Sequence, residues 1–265
     1  MNKYGDGNDQ FASTGVVQWM LNSAWPSNIW HLYDYYGIGG GAFYGVKKAT
    51  KFPLHLVFDY SSFGVKLIHS GYINYAGEFL KASASIFNSL DGKLLAKTSL
   101  ILPPTIYPDS STQLLEALPK KWFGLSNATL LLRLVLKNED KKTLDIGTYT
   151  LASSGRSSDI VNFTSCNYFR CNLSSFANMR DLQGLPPANI DISWVISGSV
   201  LSINVGNPHD DRIAFFVNIP SITLSNNQIV ESLVFTDNYF TLLPKEQRTI
   251  STTLAPSHFD VGTNT

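Results

Sequence analysis

From Pro53 onward the chain alternates strand-length apolar runs with polar turns, and no other feature restricts its fold so tightly. Leu54–Tyr60, Val65–Ser70, Phe79–Asn88, Leu94–Leu102, Ala128–Lys137 and Thr143–Leu151 are runs of strand length. Several of them alternate apolar with polar residues, the period-two pattern of a half-buried strand. Asp91-Gly92 is a hairpin-type turn pair, and Asn138–Lys142 is a polar connection. Six or seven strands at such spacing predict an immunoglobulin-like sandwich over residues 53–154.

A second unit of the same texture is expected over 155–265. Ser174-Ser175 is placed to cap a short helix running through Leu182, which Leu185-Pro-Pro187 stops. Strands are expected at Ile190–Trp194, Val200–Val205, Arg212–Ile219, Ser232–Thr236, Tyr239–Leu243 and Thr249–Leu254. The two units share strand texture but no internal repeat.

The first fifty residues have a different character. Residues 1–13 are polar and glycine-containing and read as a loop or frayed helix. Val16–Leu21 reads as a strand covered on both faces, because it is a short apolar run after Ser13-Thr14-Gly15. Asn22, Ser23, Trp25, Pro26 and Ser27 follow at once. A polar-aromatic turn at a strand's C-terminal end is where α/β barrels keep ligand-contacting side chains. A helix is expected next, with Trp30 in the core and with His31 and Asp34, three apart, on one side. Gly37–Ala42 satisfies a G-x-G-x-x-A pattern, but a dinucleotide fingerprint needs a strand directly before it. Gly40 and Gly45 have Walker A spacing, yet Val46 stands where the lysine belongs. The segment therefore reads as a turn into a last helix, Phe43–Thr50, closed off before Pro53.

Composition removes several function classes. Twenty Lys+Arg balance twenty Asp+Glu, so a nucleic-acid partner finds no basic stripe. At 44% hydrophobic and 15% charged, a well-buried β protein is favoured over a disordered one. The longest apolar stretch, Leu130–Leu136, is interrupted by Arg133, so no membrane span is expected. No secretory signal is read at the N-terminus. Three sequons, Asn127-Ala-Thr129, Asn162-Phe-Thr164 and Asn172-Leu-Ser174, fit a secreted protein whose front end is missing. Cys166 and Cys171 lack the further ligands a zinc site needs and read as free or locally paired thiols. His55 and His69 are too isolated to argue for a metal, and no cofactor is expected.

The run Gly15–Tyr36, with Gly41–Ala49 and Pro53-Leu-His55 behind it, resembles the end of the catalytic barrel in glycoside hydrolase family 2. Within that family it is most similar to the exo-β-D-glucosaminidases, with β-mannosidases next. Ser175–Leu182 and Phe235–Glu246 resemble the terminal sandwich of the same enzymes. The resemblance covers essentially the whole chain. It implies a mainly β fold: two immunoglobulin-like β-sandwiches, 53–154 and 155–265, preceded by the last strand–helix unit of a (β/α)8 barrel, 1–52. It also implies a secreted complete protein acting on an oligosaccharide, with further barrel strands and N-terminal domains upstream.

Retaining glycosidases of this family use two glutamates, a proton donor and a nucleophile, about 5 to 5.5 Å apart. The glutamates here are Glu78, Glu116, Glu139, Glu231 and Glu246, all outside the barrel-like stretch, and they read as surface carboxylates. No G-x-S-x-G elbow occurs to offer another nucleophile. The resemblance leaves Trp19, Asn22 and Trp25 as substrate-binding candidates, since indole faces stack on the C–H groups of a pyranose. Packing of the barrel mouth is the competing reading for both tryptophans. The expected function is thus the C-terminal portion of a retaining exo-β-glycosidase acting on terminal glucosamine or mannose, inactive as this chain alone. The alternative is a stand-alone sandwich protein that binds carbohydrate or a protein partner, through exposed aromatics such as Tyr72, Tyr75, Trp122 or Phe123. Val16, Val17, Met20 and Leu21 would lack neighbours in a lone chain, so removal of Met1–Thr50 is expected to improve its behaviour.

Overall fold

The computed structural model describes residues 16–255, apart from 28–29, 52, 61, 77–79, 153–160, 167–170, 224–226, 228 and 232; for 161–166 and 171–176 it describes the backbone. The chain is mainly β, with one α-helix among the described residues. In chain order the principal elements are β1 (Met20–Asn22), β2 (His31–Tyr33), α1 (Gly41–Lys51), β3 (Leu54–Asp59) and β4 (Gly64–His69). Then come β5 (Lys81–Asn88), β6 (Leu94–Leu100), β7 (Ser110–Leu115), β8 (Leu130–Lys137) and β9 (Thr143–Leu151). A hairpin of β10 (Val161–Cys166) and β11 (Cys171–Phe176) follows. Last are β12 (Asp191–Ser197), β13 (Val200–Gly206), β14 (Ala214–Val217), β15 (Phe240–Leu242) and β16 (Gln247–Thr253).

By its internal contacts the chain divides into two units, one holding Phe52–Pro186 and the other combining Val17–Lys51 with Pro187–Thr265. The sequence-based boundaries at 52 and 154 run differently. Residues 161–186 group with the preceding strands, and α1 groups with strands that lie some 190 residues further along.

The first unit has sandwich-like sheets, β3-β4-β7 and β9-β8-β5-β6, with antiparallel neighbours throughout. Strict alternation puts Leu54, Leu56 and Phe58 of β3 inside. They meet Ala84 and Ile86 of β5 and Leu130, Leu132, Leu134 and Leu136 of β8 in one core cluster. Burial of such side chains contributes about 1.5–3 kcal/mol each. The β5–β6 connection turns through Asp91-Gly92 as expected: Gly92 takes φ +68°, and its N–H donates to the Asn88 carbonyl. Side chains close one sheet edge. Asp145 of β9 accepts the Leu56 N–H at 2.8 Å, and the Tyr149 hydroxyl donates to the Leu56 carbonyl at 3.4 Å. Both outward backbone groups of Leu56 are thereby satisfied.

In the second unit β12-β13-β16 form one antiparallel sheet, and β14 pairs with β15. Leu201, Ile203, Val205, Phe235, Leu242 and Ile250 gather in its core, and Tyr44 of α1 belongs to the same cluster.

Several expectations fail for identifiable reasons. The run Val16–Leu21 is not a buried strand: the strand is Met20–Asn22, with Val16 74%, Val17 91% and Trp19 87% exposed. Periodicity registers what a segment needs to cover it, not whether cover is present. The helix expected to follow is instead β2, parallel to β1 with Met20 opposite His31. The helix expected over 174–182 is strand β11 followed by a 3-10 turn, Arg180–Gly184; the hairpin partner β10 overrides the local capping signal. Residues 233–235 are not strand, although Phe235 is fully buried.

Candidate functional site

The segment 16–40 carries all three candidate sugar-contacting residues and is built by short-range polar contacts. β1 and β2 run parallel although only residues 23–30 join them, fewer than the roughly dozen a covered crossover takes. Side chains make up the difference. The Gln18 amide donates to the Met20 carbonyl at 2.9 Å and to the Trp30 carbonyl at 3.2 Å, tying the entries of both strands. Buried Ser23 meets the His31 Nδ1 through its hydroxyl at 3.0 Å, and the Trp30 indole N–H points at the Met20 sulfur at 3.0 Å.

After β2, Asp34 organises the glycine-rich turn. Its Oδ1 accepts the N–H groups of Tyr36 at 2.9 Å and Ile38 at 2.8 Å. Gly37 adopts φ +80°, which favours glycine. At Gly39 a Cβ would come within 2.6 Å of the Phe43 ring, so the backbone lies directly on that side chain. The expected turn into a helix is therefore present, and α1, Gly41–Lys51, matches the expected Phe43–Thr50. His31 and Asp34 do not share a helix: the first sits in β2 and the second in the turn.

Within the second unit α1 is anchored by Tyr44. Its hydroxyl accepts the buried Phe235 N–H at 3.2 Å and lies 3.5 Å from the Leu233 carbonyl. Lys47 Nζ donates to the Phe235 carbonyl at 2.5 Å. Burial pushes the Tyr44 phenol above and the Lys47 ammonium below its usual range. Phe216 and Tyr239, both at positive φ, stack edge to face at 5.4 Å beside Gly41.

Trp19 stands just before β1, Asn22 ends it, and Trp25 lies in the turn beyond. All three are exposed, Trp25 at 66%. The arrangement presents two indoles and an amide along one short stretch at the strand's C-terminal end, which suits stacking and hydrogen bonding to a pyranose. Trp30, expected in the core, is 71% exposed. Of the scaffold residues, Gln18 escaped sequence reasoning, while Ser23 and Asp34 were singled out for a ligand-facing turn and a shared helix face rather than for the roles they take; the spacing of Asp34 to Gly37 was the available signal for the turn.

Elsewhere, among the described residues, the glutamates hold surface or structural positions. Glu116, Glu139 and Glu231 are exposed, while Glu246 accepts the Leu243 N–H at 2.8 Å and holds a turn. Glu78 lies outside the described residues. His55 is 3.8 Å from Asp145, and the His69 Nδ1 donates to the Tyr107 carbonyl at 2.7 Å. Among the described residues no group of three metal-ligating side chains occurs. Of the aromatics offered as a binding surface, Tyr72 is exposed, but Trp122 and Phe123 are buried in the first core and Tyr75 packs on the His69 ring. Cys166 and Cys171 are direct partners across the β10–β11 hairpin; their side chains lie outside the described residues. A cavity of about 480 Å³ opens in the second unit, lined by Ile192, Trp194, Ile196, Leu201, Ile203 and Pro220. No sequence signal marked it.

A family model described as the exo-beta-D-glucosaminidase Ig-fold domain matches residues 168–262. The exo-beta-D-glucosaminidase of Streptomyces avermitilis is 27% identical over 248 residues, 91% of this chain and 26% of the relative. That of Arthroderma benhamiae is 24% identical over 246 residues, 93% of this chain and 26% of the relative. The crystal structure of the Amycolatopsis orientalis exo-chitosanase CsxA superposes with a TM-score of 0.77 at 24% identity, over 96% of this chain and 30% of that one. This last likeness establishes the fold. The chain thus spans about a quarter of the length of the curated relatives it matches, and the resemblance read from its sequence is borne out.

Proposed function

We propose that the chain, whose residues 168–262 carry the exo-beta-D-glucosaminidase Ig-fold domain, is the C-terminal portion of a retaining exo-acting β-glycosidase. Its substrate is a chitosan-type oligosaccharide ending in β-linked glucosamine. The observation that carries this reading is the alignment of about nine-tenths of the chain with some quarter of each glucosaminidase relative. Residues 1–52 are then the last strand–helix unit of the catalytic barrel. The exposure of Val16, Val17 and Leu21 supports that assignment, because they make the kind of apolar surface that neighbouring strands cover.

In the complete enzyme, barrel strands outside this chain supply the proton-donating and nucleophilic carboxylates. Trp19 and Trp25 form a hydrophobic wall of the terminal subsite, and Asn22 offers its amide to a sugar hydroxyl. By itself the chain binds no sugar tightly and hydrolyses none. The test is release of the aryl group from an aryl β-glucosaminide. Purified chain is expected to match the catalyst-free rate, and turnover above that rate overturns the reading.

The size of the native product separates this reading from a stand-alone binding protein. An antibody against residues 53–265 is expected to detect a band several hundred residues larger than this chain in the source cells or their medium. A band near 29 kDa would favour the binding protein.

A further inference from the structure

The three sequons are not equivalent in the fold. Asn162 lies in β10 and Asn172 in β11, two paired strands. Asn127 instead occupies the exposed bend between the 3-10 turn Lys120–Gly124 and β8. An acceptor asparagine belongs at a surface loop of this kind. The hydroxyl two residues on is placed differently. Thr129 is 2% exposed. Its hydroxyl donates to Asp181 Oδ1 at 2.5 Å and its N–H to Asp181 Oδ2 at 2.6 Å. Desolvation pushes the Asp181 carboxyl up, but the two Thr129 hydrogen bonds, together with those from the Asp181 and Leu182 backbone, hold the group below its usual range. The carboxylate is thus a firm lock on Thr129.

Glycan transfer reads the acceptor amide together with the hydroxyl at the second following position, so both must be accessible at once. In the folded chain one is and the other is not. We propose that Asn127 is an N-glycan acceptor that can be modified only before Asp181 closes over Thr129. The donor is a lipid-linked oligosaccharide diphosphate. The Asn127 amide nitrogen bonds to C1 of the reducing-end sugar, and the bond from C1 to the diphosphate oxygen breaks. The diphosphate leaves with the electron pair, and one amide proton is released. Asp181 lies 52 residues after Thr129, which gives a growing chain an interval in which the sequon is complete and still unlocked.

Two measurements test this. The full chain is directed into the endoplasmic reticulum by an appended leader, and the tryptic peptide Trp122–Arg133 is weighed before and after peptide N-glycosidase. A removable glycan, absent from Asn127→Gln and Thr129→Ala, is expected; an unmodified peptide in the parent chain overturns the acceptor assignment. For the order of events, folded unmodified chain and a synthetic Trp122–Arg133 peptide are offered to a single-subunit oligosaccharyltransferase with lipid-linked donor. The folded chain is expected to react at least ten-fold more slowly, and equal rates overturn the lock. Asp181→Ala should recover most of the difference. Should that variant not fold, the comparison of parent chain with peptide still decides.

Discussion

Asp145 shows how much a single buried carboxylate can hold. It is 8% exposed and satisfies the Leu56 N–H, which no neighbouring strand reaches. Asp145→Ala leaves that donor unpaired and is expected to cost about 1–3 kcal/mol, read as a lower urea midpoint at unchanged slope. Tyr60 makes the same edge sensitive to alkali. Desolvation, with a smaller contribution from Tyr149, pushes its pKa up to about 12. The fold therefore favours the neutral phenol: this contribution is complete below pH 10 and disappears as the pH rises through about 12. Stability is expected to fall over that window, and Tyr60→Phe should flatten part of the fall, measured by urea titration at several pH values. None of this was legible in the sequence, where Asp145 and Tyr60 sat in unremarkable strand positions and their partners lay some 90 residues away.

Strands that carry their own pattern were legible, and those that borrow from a partner were not. β3 and β9 were read within a residue or so of their observed bounds, because alternation alone specifies them. β7 was missed: Ser110, Ser111, Thr112 and Gln113 give it a polar sequence, and pairing with β4 makes it a strand. α1 was found from its flanking glycines and Pro53, yet its docking partner was invisible, since Tyr44 reaches Phe235 across 191 positions. This docking alters the expected benefit of trimming the chain. Removing Met1–Thr50 takes away the exposed segment but also takes Tyr44 out of the second core. Tyr44→Ala is expected to cost the second unit about 3–5 kcal/mol. Tyr44→Phe, which leaves the Phe235 N–H unpaired, is expected to cost about 1–3 kcal/mol. Limited proteolysis near α1 should rank the two in that order.

At the scale of the whole molecule, the exposed Val17, Trp19 and Leu21 are expected to drive self-association in solution. Val17→Thr, Trp19→Gln and Leu21→Thr together keep α1 in place and are expected to shift the chain from self-associated species toward monomer in light scattering. Unchanged association would direct attention to β12, whose seven residues are all exposed and include Ile192, Trp194 and Ile196. The three candidate site residues were legible as a motif, whereas their exposure was not, because it depends on which strands stand beside them. The interrupted second unit has a mechanical corollary. Its two pieces flank the first unit in sequence, so a pull applied at Val17 and Leu254 loads the second unit alone. Once the short β1–β2 pairing yields, the Tyr44 contact with Phe235 takes the pull ahead of the strands from β3 to β9, as a clasp spares the cord tied behind it.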